Sequence, residues 1–109
     1  KPDWWKLEPQ ASSRAWDRIG AMIARHDPYC RGIMLLGLEA PEAELDKAFR
    51  ATAGHKAVKG FAIGRSIFGE VAPSWLAGKT SDDAATAEMA ERFASLVKLW
   101  NSAHEKRAA

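Results

Sequence analysis

A glycine–arginine–serine turn, Gly64-Arg65-Ser66, carries the clearest chemical signal in this sequence. It follows a short apolar run, residues 58–63, and an amphipathic stretch begins directly after it. A strand that turns through glycine into a helix presents free backbone N–H groups at the positive end of the helix dipole. Arginine adds a planar set of donors that suits phosphate or carboxylate. The turn therefore predicts a phosphate site, and an ordinary strand–helix turn with a surface arginine is the alternative.

A second glycine, Gly37, ends the preceding apolar run just as Gly64 ends this one. Two glycines at successive strand ends suggest a single site approached by two loops, as in barrel proteins that bind phosphate. We therefore expect a substrate-binding site comprising Gly37, Gly64, Arg65 and Ser66. Turn geometry alone is the competing explanation for both glycines.

Lys6 and Glu8 form a second candidate pair, in the first predicted strand. The alternation of a strand places Trp4, Lys6 and Glu8 on one face. A lysine beside aromatic surface can lose solvation, which favours the neutral amine that attacks a carbonyl to form a Schiff base. Glu8 could then move protons during the reaction. The alternative is a solvated lysine–glutamate pair at a strand end.

Lys59 is the rival lysine. Alternation along its predicted strand places it with Phe61 and Ile63, while Gly60, Ala62 and Gly64 line the other face. Because small residues suit a crowded barrel interior, we expect Lys59 to point outward or to lie near the bottom of a barrel.

The histidines suggest no further chemistry. His26, His55 and His104 fall at predicted helix ends or in the tail, where each is expected to partner the negative end of a helix. We identify no metal-ligand spacing, no Ser–His–Asp arrangement and no Walker-type loop. The sequence therefore predicts neither a metal nor a cofactor.

Three strand–helix units must position these residues. Strands are predicted over residues 3–8, 32–38 and 58–63, and helices over about 13–25, 41–53, 66–76 and 81–104, the third of them short or broken around Pro73. The charged tail after His104 is predicted to fray. Apolar strands that alternate with helices indicate an α/β fold with consecutive parallel strands. Such a sheet is either part of a barrel or a small doubly wound domain, and it must assemble to cover its edges.

Composition limits the classes of function. The chain has 109 residues, 28% of them charged, and a formal net charge of +2 without a basic stripe, which argues against nucleic acid as a partner. No apolar run is long enough to span a bilayer. The lone Cys30 fits a reducing compartment, so we expect a cytoplasmic protein. The chain starts at Lys1 and enters a candidate strand within three residues, so we expect residues 1–109 to be one α/β unit of a larger domain.

Three segments carry a resemblance to a known family: Trp4–Pro9 (WWKLEP), Asp27–Gly32 (DPYCRG) and Val58–Phe68 (VKGFAIGRSIF). They resemble the aldolase-like domain fused to the C-terminus of some bacterial 5-dehydro-2-deoxygluconokinases of myo-inositol catabolism. The resemblance covers nearly the whole chain. The chain is more distantly similar to class I tagatose bisphosphate aldolases. That similarity rests on two short motifs, the strand that carries the lysine and the glycine–arginine turn.

This resemblance implies that the chain is the C-terminal portion of a TIM (β/α)₈ barrel, with Lys6 as the Schiff-base lysine and Gly64 and Arg65 as the phosphate turn. The implied substrate is 2-deoxy-5-keto-gluconate phosphate, cleaved to dihydroxyacetone phosphate and malonic semialdehyde. The earlier strands of such a barrel are absent here, so we expect the isolated chain to be inactive. We also expect it to self-associate or to associate with the rest of the parent barrel.

A second function stays open. The chain could be a non-catalytic module that binds a phosphorylated sugar or stabilises the neighbouring kinase. The environment of Lys6 separates the two hypotheses: a nucleophile needs a buried apolar site, whereas the lysine of a scaffold would be exposed.

Overall fold

A computed structural model describes residues 1–105 of the chain. It contains three strands and five helices in the order β1, α1, β2, α2, β3, α3, α4, α5. Their bounds are Trp4–Leu7, Ser13–His26, Gly32–Leu36, Glu42–Ala51, Val58–Ala62, Arg65–Phe68, Val71–Leu76 and Asp82–Glu105. The last part of the charged tail, residues 106–109, lies outside the described residues.

The three strands form one parallel sheet in the order β1-β2-β3. Trp5 lies opposite Ile33 and Leu7 opposite Leu35, and Leu35 in turn lies opposite Phe61. The prediction of consecutive parallel strands in an α/β fold is therefore confirmed. The strands are shorter than predicted: the apolar runs of β2 and β3 continue past the last ladder residue into the following loop, and β1 ends at Leu7, before Glu8.

The helices of the hydrophobic core pack on one face of this sheet. Ile33 and Leu35 of β2 are 1% and 0% exposed. They share a cluster with residues from three helices, namely Trp16 of α1, Leu45 and Phe49 of α2, and Leu96 and Ala103 of α5. Leu7 and Phe61 from the two outer strands pack against the same cluster. One side of the sheet thus holds the core.

Aromatic rings connect this core to the long final helix. The Phe49 ring stacks on Phe61 with centroids 5.2 Å apart, and Trp100 meets Phe49 edge-on at the same distance. The fully buried Thr52 donates its hydroxyl to the Phe49 carbonyl at 2.6 Å and lies 3.1 Å from Nε2 of His104. These contacts hold α5 against the C-terminal end of α2.

The ends of the helices follow local chemistry. The Ser12 hydroxyl accepts the Ala15 N–H at 3.2 Å and so caps α1. Beyond α2, Gly54 adopts a φ of 113°, a conformation that glycine tolerates best. The helical stretch predicted after the third strand divides at Gly69 and Glu70 into the short helices α3 and α4.

The predicted face of Lys59 is wrong. A Cβ added to Gly32 would lie 2.5 Å from Cγ of Lys59 and 3.0 Å from Cζ3 of Trp4, so the Lys59 stem crosses Gly32 beside Trp4. The register between β2 and β3 shifts at Ile33 and Met34. Because one extra residue in a strand reverses the alternation of its side chains, Lys59 lies on the face opposite the core.

Candidate functional site

Lys6 extends from the face of the sheet that the helices leave uncovered. Its neighbour Leu7 packs against the core, so alternation places Lys6 on the opposite side with Trp4. Lys6 is exposed, and Trp4 keeps 45% of its surface accessible. Glu8 is also exposed, just after the strand. Within residues 1–105 the lysine has the aromatic neighbour that was predicted but not the burial that a Schiff-base nucleophile needs.

The remainder of this open face is apolar and contains small residues. Met34 lies opposite both Lys6 and Gly60, and its Sδ and Cε atoms lie above Gly60. Leu36 and Ala62 form the next pair along the strands, and both are partly exposed. An apolar surface with two lysine amines, those of Lys6 and Lys59, is thus presented to whatever covers this side of the sheet.

Gly37 and Gly64, which follow the ends of β2 and β3, lie where neighbouring side chains leave no space for a Cβ atom. A Cβ on Gly37 would lie 2.8 Å from Cγ1 of Ile63, and a Cβ on Gly64 would lie 2.8 Å from Cε1 of Phe68. Since a real Cβ needs more space than this, glycine lets the Ile63 side chain lie against the backbone of Gly37 and the Phe68 ring lie against that of Gly64. Side chains of this chain therefore occupy the space beside both glycines.

Arg65 lies at the same end of the sheet and already has an anionic partner. Its Nη1 atom lies 3.1 Å from Oε1 of Glu39, and both side chains are more than half exposed. The loop that carries the glutamate is strained, because Leu38 and Glu39 have φ values of 52° and 59°. A phosphate at this position would have to displace the Glu39 carboxylate.

Ser66 lies below this pair, at the edge of a cavity of about 610 Å³. Its hydroxyl oxygen is buried without a hydrogen-bond partner among the described residues. The cavity is strongly acidic, since it is lined by Glu39, Glu42, Glu70, Glu88 and Glu91. Its one arginine, Arg92, is held by Glu70 and Glu88 at 2.8 Å each, and these hydrogen bonds raise the pKa of Arg92. This cavity therefore disfavours anions, in contrast to the Arg65 side of the turn.

The structure also brings together three residues that the sequence reading did not connect. Ser13 and Asp17, one turn apart on α1, both contact the imidazole of His55, which precedes β3. The statement that the chain has no Ser–His–Asp arrangement is therefore wrong. His55 is 42 residues from Ser13 along the chain, so no local spacing could reveal the contact.

Within residues 1–105, no group of three or more His, Cys, Asp or Glu side chains is placed to hold a metal ion. Over the same residues, no helix is both long enough and apolar enough to cross a membrane.

The molecule is thus an α/β protein with a parallel sheet, whose helices cover one face and whose other face carries lysine amines. The chain belongs to the bacterial family described as "Uncharacterized protein conserved in bacteria (DUF2090)", whose model matches residues 1–104. No curated protein and no solved structure matches the chain.

Proposed function

We propose that this chain forms the last three strand–helix units of an aldolase-like (β/α)₈ barrel and supplies Lys6 as its Schiff-base lysine. The observation that carries the proposal is the placement of Lys6. The lysine lies on the open face of a parallel sheet whose core helices all pack on the other face. In a barrel, the face without helices is the interior, where the substrate site opens at the C-terminal ends of the strands.

The strand order supports a barrel rather than a doubly wound sheet. The order β1-β2-β3 follows the chain without reversal. In doubly wound folds the strand order reverses and helices cover both faces of the sheet. Further strands added beside β1 or β3 would extend the same sheet and would remove its unpaired edges.

Covering the open face would change the chemistry of Lys6. Exclusion of water from the surface formed by Trp4, Met34 and Lys6 would disfavour the ammonium form. The neutral amine would attack a ketone carbon, and the carbinolamine would lose water to form the imine. Glu8, two residues further on, would accept and return the protons of these steps. The reaction of this site needs no metal or cofactor.

The substrate class follows from the family resemblance together with the strand-end turns. A phosphorylated keto-sugar acid, such as 2-deoxy-5-keto-gluconate phosphate, offers a carbonyl to Lys6 and a phosphate to the Arg65 side of the turn, where the guanidinium and the backbone of Gly64 and Ser66 would hold it, with Gly37 at the neighbouring strand end. Phosphate binding would replace the ion pair between Arg65 and Glu39.

The single cysteine, Cys30, is a free thiol, which supports a reducing cytoplasm as the site of the reaction.

A second function has its own support. Lys6 is exposed, which is the arrangement expected of a non-catalytic module that binds a phosphorylated sugar or stabilises a neighbouring 5-dehydro-2-deoxygluconokinase domain. In that case the open face is an interface rather than the wall of an active site, and no lysine acts as a nucleophile.

Release of malonic semialdehyde from 2-deoxy-5-keto-gluconate phosphate separates the two functions. The assay uses the chain joined to whatever domains accompany it naturally. The aldolase proposal predicts release that is lost in Lys6→Ala and retained in Lys59→Ala, the control on the same face. Absence of release from the wild-type protein, combined with intact binding of the phosphorylated sugar, would favour the non-catalytic module.

A further inference from the structure

A histidine in the loop before β3 is held between a serine and an aspartate of α1. Oγ of Ser13 lies 2.9 Å from Nε2 of His55, and Oδ1 of Asp17 lies 3.4 Å from Nδ1 of the same ring. A carboxylate at Nδ1 favours the tautomer that carries its proton there. Nε2 is then free to accept the Ser13 proton, which is the polarity that activates a serine nucleophile.

The accessibility of the three groups suits this chemistry. The His55 side chain is only 11% exposed, so its ring is held in place, whereas Ser13 is exposed to an incoming reactant. Asp17 is 70% exposed and lies one helical turn after the serine. It acts on the nucleophile through the imidazole that it orients, so we regard it as a positioning residue.

Ser13 also occupies the first position of a 14-residue helix. The cap formed by Ser12 takes up the Ala15 N–H, while the Ser13 and Arg14 N–H groups donate to no protein acceptor within residues 1–105. Free N–H groups at a helix N-terminus stabilise negative charge. The N–H of the residue after a nucleophile commonly contributes to an oxyanion hole, and Arg14 provides that group here.

A small cavity adjoins the imidazole. The cavity, of about 270 Å³, is lined by Asp17 and His55 together with Trp16, Gly20 and Lys56 among others. Trp16 is 1% exposed, and its indole N–H has no hydrogen-bond partner among the described residues. Because that nitrogen is itself enclosed by protein, the cavity offers room beside the imidazole for a small substrate group rather than a hydrogen-bond donor.

We propose that Ser13, His55 and Asp17 form a nucleophilic site for small acyl esters, separate from the Lys6 face. The Ser13 oxygen attacks the ester carbonyl carbon while its proton moves to Nε2 of His55. The bond from that carbon to the alcohol oxygen then breaks, and His55 gives the proton to the leaving alcohol. Water attacks the acyl-serine, with His55 again as base, which releases the carboxylic acid and restores Ser13.

The test is covalent labelling of the folded 109-residue chain by a fluorophosphonate, with peptide mass mapping, alongside hydrolysis of 4-nitrophenyl acetate. We expect a single adduct on Ser13, and its loss together with the loss of hydrolysis in Ser13→Ala. His55→Gln should slow labelling by about 100-fold or more, the lower end of what acid–base assistance contributes. Ser81→Ala is the control, since Ser81 is likewise a serine at the N-terminus of a long helix, where its hydroxyl oxygen accepts the Ala84 N–H rather than contacting a histidine.

The positioning role of Asp17 is tested by a measurement that the loss of a merely structural contact would leave unchanged. Asp17→Asn should lower kcat for 4-nitrophenyl acetate about tenfold with KM unchanged, and Asp17→Glu should recover part of that loss. Unfolding midpoints in urea check that each variant folds. Absence of labelling in the wild-type chain, an adduct on another residue, or hydrolysis retained in Ser13→Ala would overturn the proposal, independently of any result at Lys6.

Discussion

The guanidinium of Arg65, at the start of α3, lies 3.1 Å from the carboxylate of Glu39, in the strained loop after β2. The pair joins the C-terminal ends of two neighbouring strands, which is the edge where α/β proteins bind ligands. The cation proposed to hold a phosphate is thus already positioned by an internal anion. The proposed phosphate site can therefore be tested by substituting either Arg65 or Glu39.

Removal of the competing carboxylate should strengthen phosphate binding. We expect Glu39→Gln to raise the affinity for a phosphorylated sugar by about two- to fivefold, because an exposed ion pair contributes at most about 1 kcal/mol. Calorimetric titration with the phosphorylated and plain forms measures the change. Glu44→Gln, an exposed substitution on α2, is the control and should have no effect. Equal affinities for wild type and Glu39→Gln would show that the ion pair does not compete with a ligand.

Removal of the cation should have the opposite effect. Arg65→Ala should weaken binding of the phosphorylated sugar by roughly ten- to a hundredfold, since a charge-assisted hydrogen bond contributes about 1.5–3 kcal/mol. Arg65→Lys should recover only part of the affinity, because it lacks the planar pair of donors. The same titration measures both variants. An equal loss for the unphosphorylated sugar would make Arg65 a structural residue.

Gly32 should tolerate no side chain. Its φ of 153° disfavours other residues, and a Cβ would lie 2.5 Å from Cγ of Lys59 and 3.1 Å from the Ala57 carbonyl oxygen. Gly32→Ala should therefore lower the free energy of unfolding by about 1–3 kcal/mol, as strained backbone positions cost. Gly20→Ala, inside α1 with nothing within 4 Å, should instead raise it by about 0.5–1 kcal/mol. Urea unfolding compares the two, and similar midpoints would contradict the close packing at Gly32.

The open face should drive association. We expect the 109-residue chain, of 12.0 kDa, to give a larger mass by light scattering, because its sheet has two unpaired edges and an uncovered apolar face. Met34→Lys should reduce the mass by adding charge beside Lys6. The matched control is Leu76→Lys, which changes a leucine that is 76% exposed on α4. A folded, cooperative monomer at all concentrations would count against this prediction.

Much of the fold could be predicted from local patterns. The run Gly32–Leu38 is apolar throughout, which is typical of a covered parallel strand, and a capping serine, Ser12 or Ser13, before an amphipathic stretch marks the start of α1. Neither feature depends on distant residues. Gly37 and Gly64 were likewise identified from their positions after apolar runs, although the contacts of Ile63 and Phe68 that require glycine there could not be read from spacing.

The remainder depends on tertiary contacts. Alternation assigned Lys59 to the wrong face because the register shift beside Ile33 and Met34 leaves no mark in the uniformly apolar sequence of β2. The Arg65–Glu39 pair joins two different loops, and the His55–Ser13 contact spans 42 residues. A sequence pattern reports periodicity within an element, whereas these contacts are set by how separate elements pack.

Borohydride reduction in the presence of the phosphorylated keto-sugar acid tests the central claim most directly. Borohydride reduces an imine to a stable amine, so mass mapping of the protein with its natural accompanying domains identifies the lysine that attacked the substrate. The account predicts one adduct, on Lys6, that persists in Lys59→Ala and disappears in Lys6→Ala. An adduct on Lys59 or another lysine, or no adduct under conditions where the substrate is bound, would contradict the assignment of Lys6 as the Schiff-base residue.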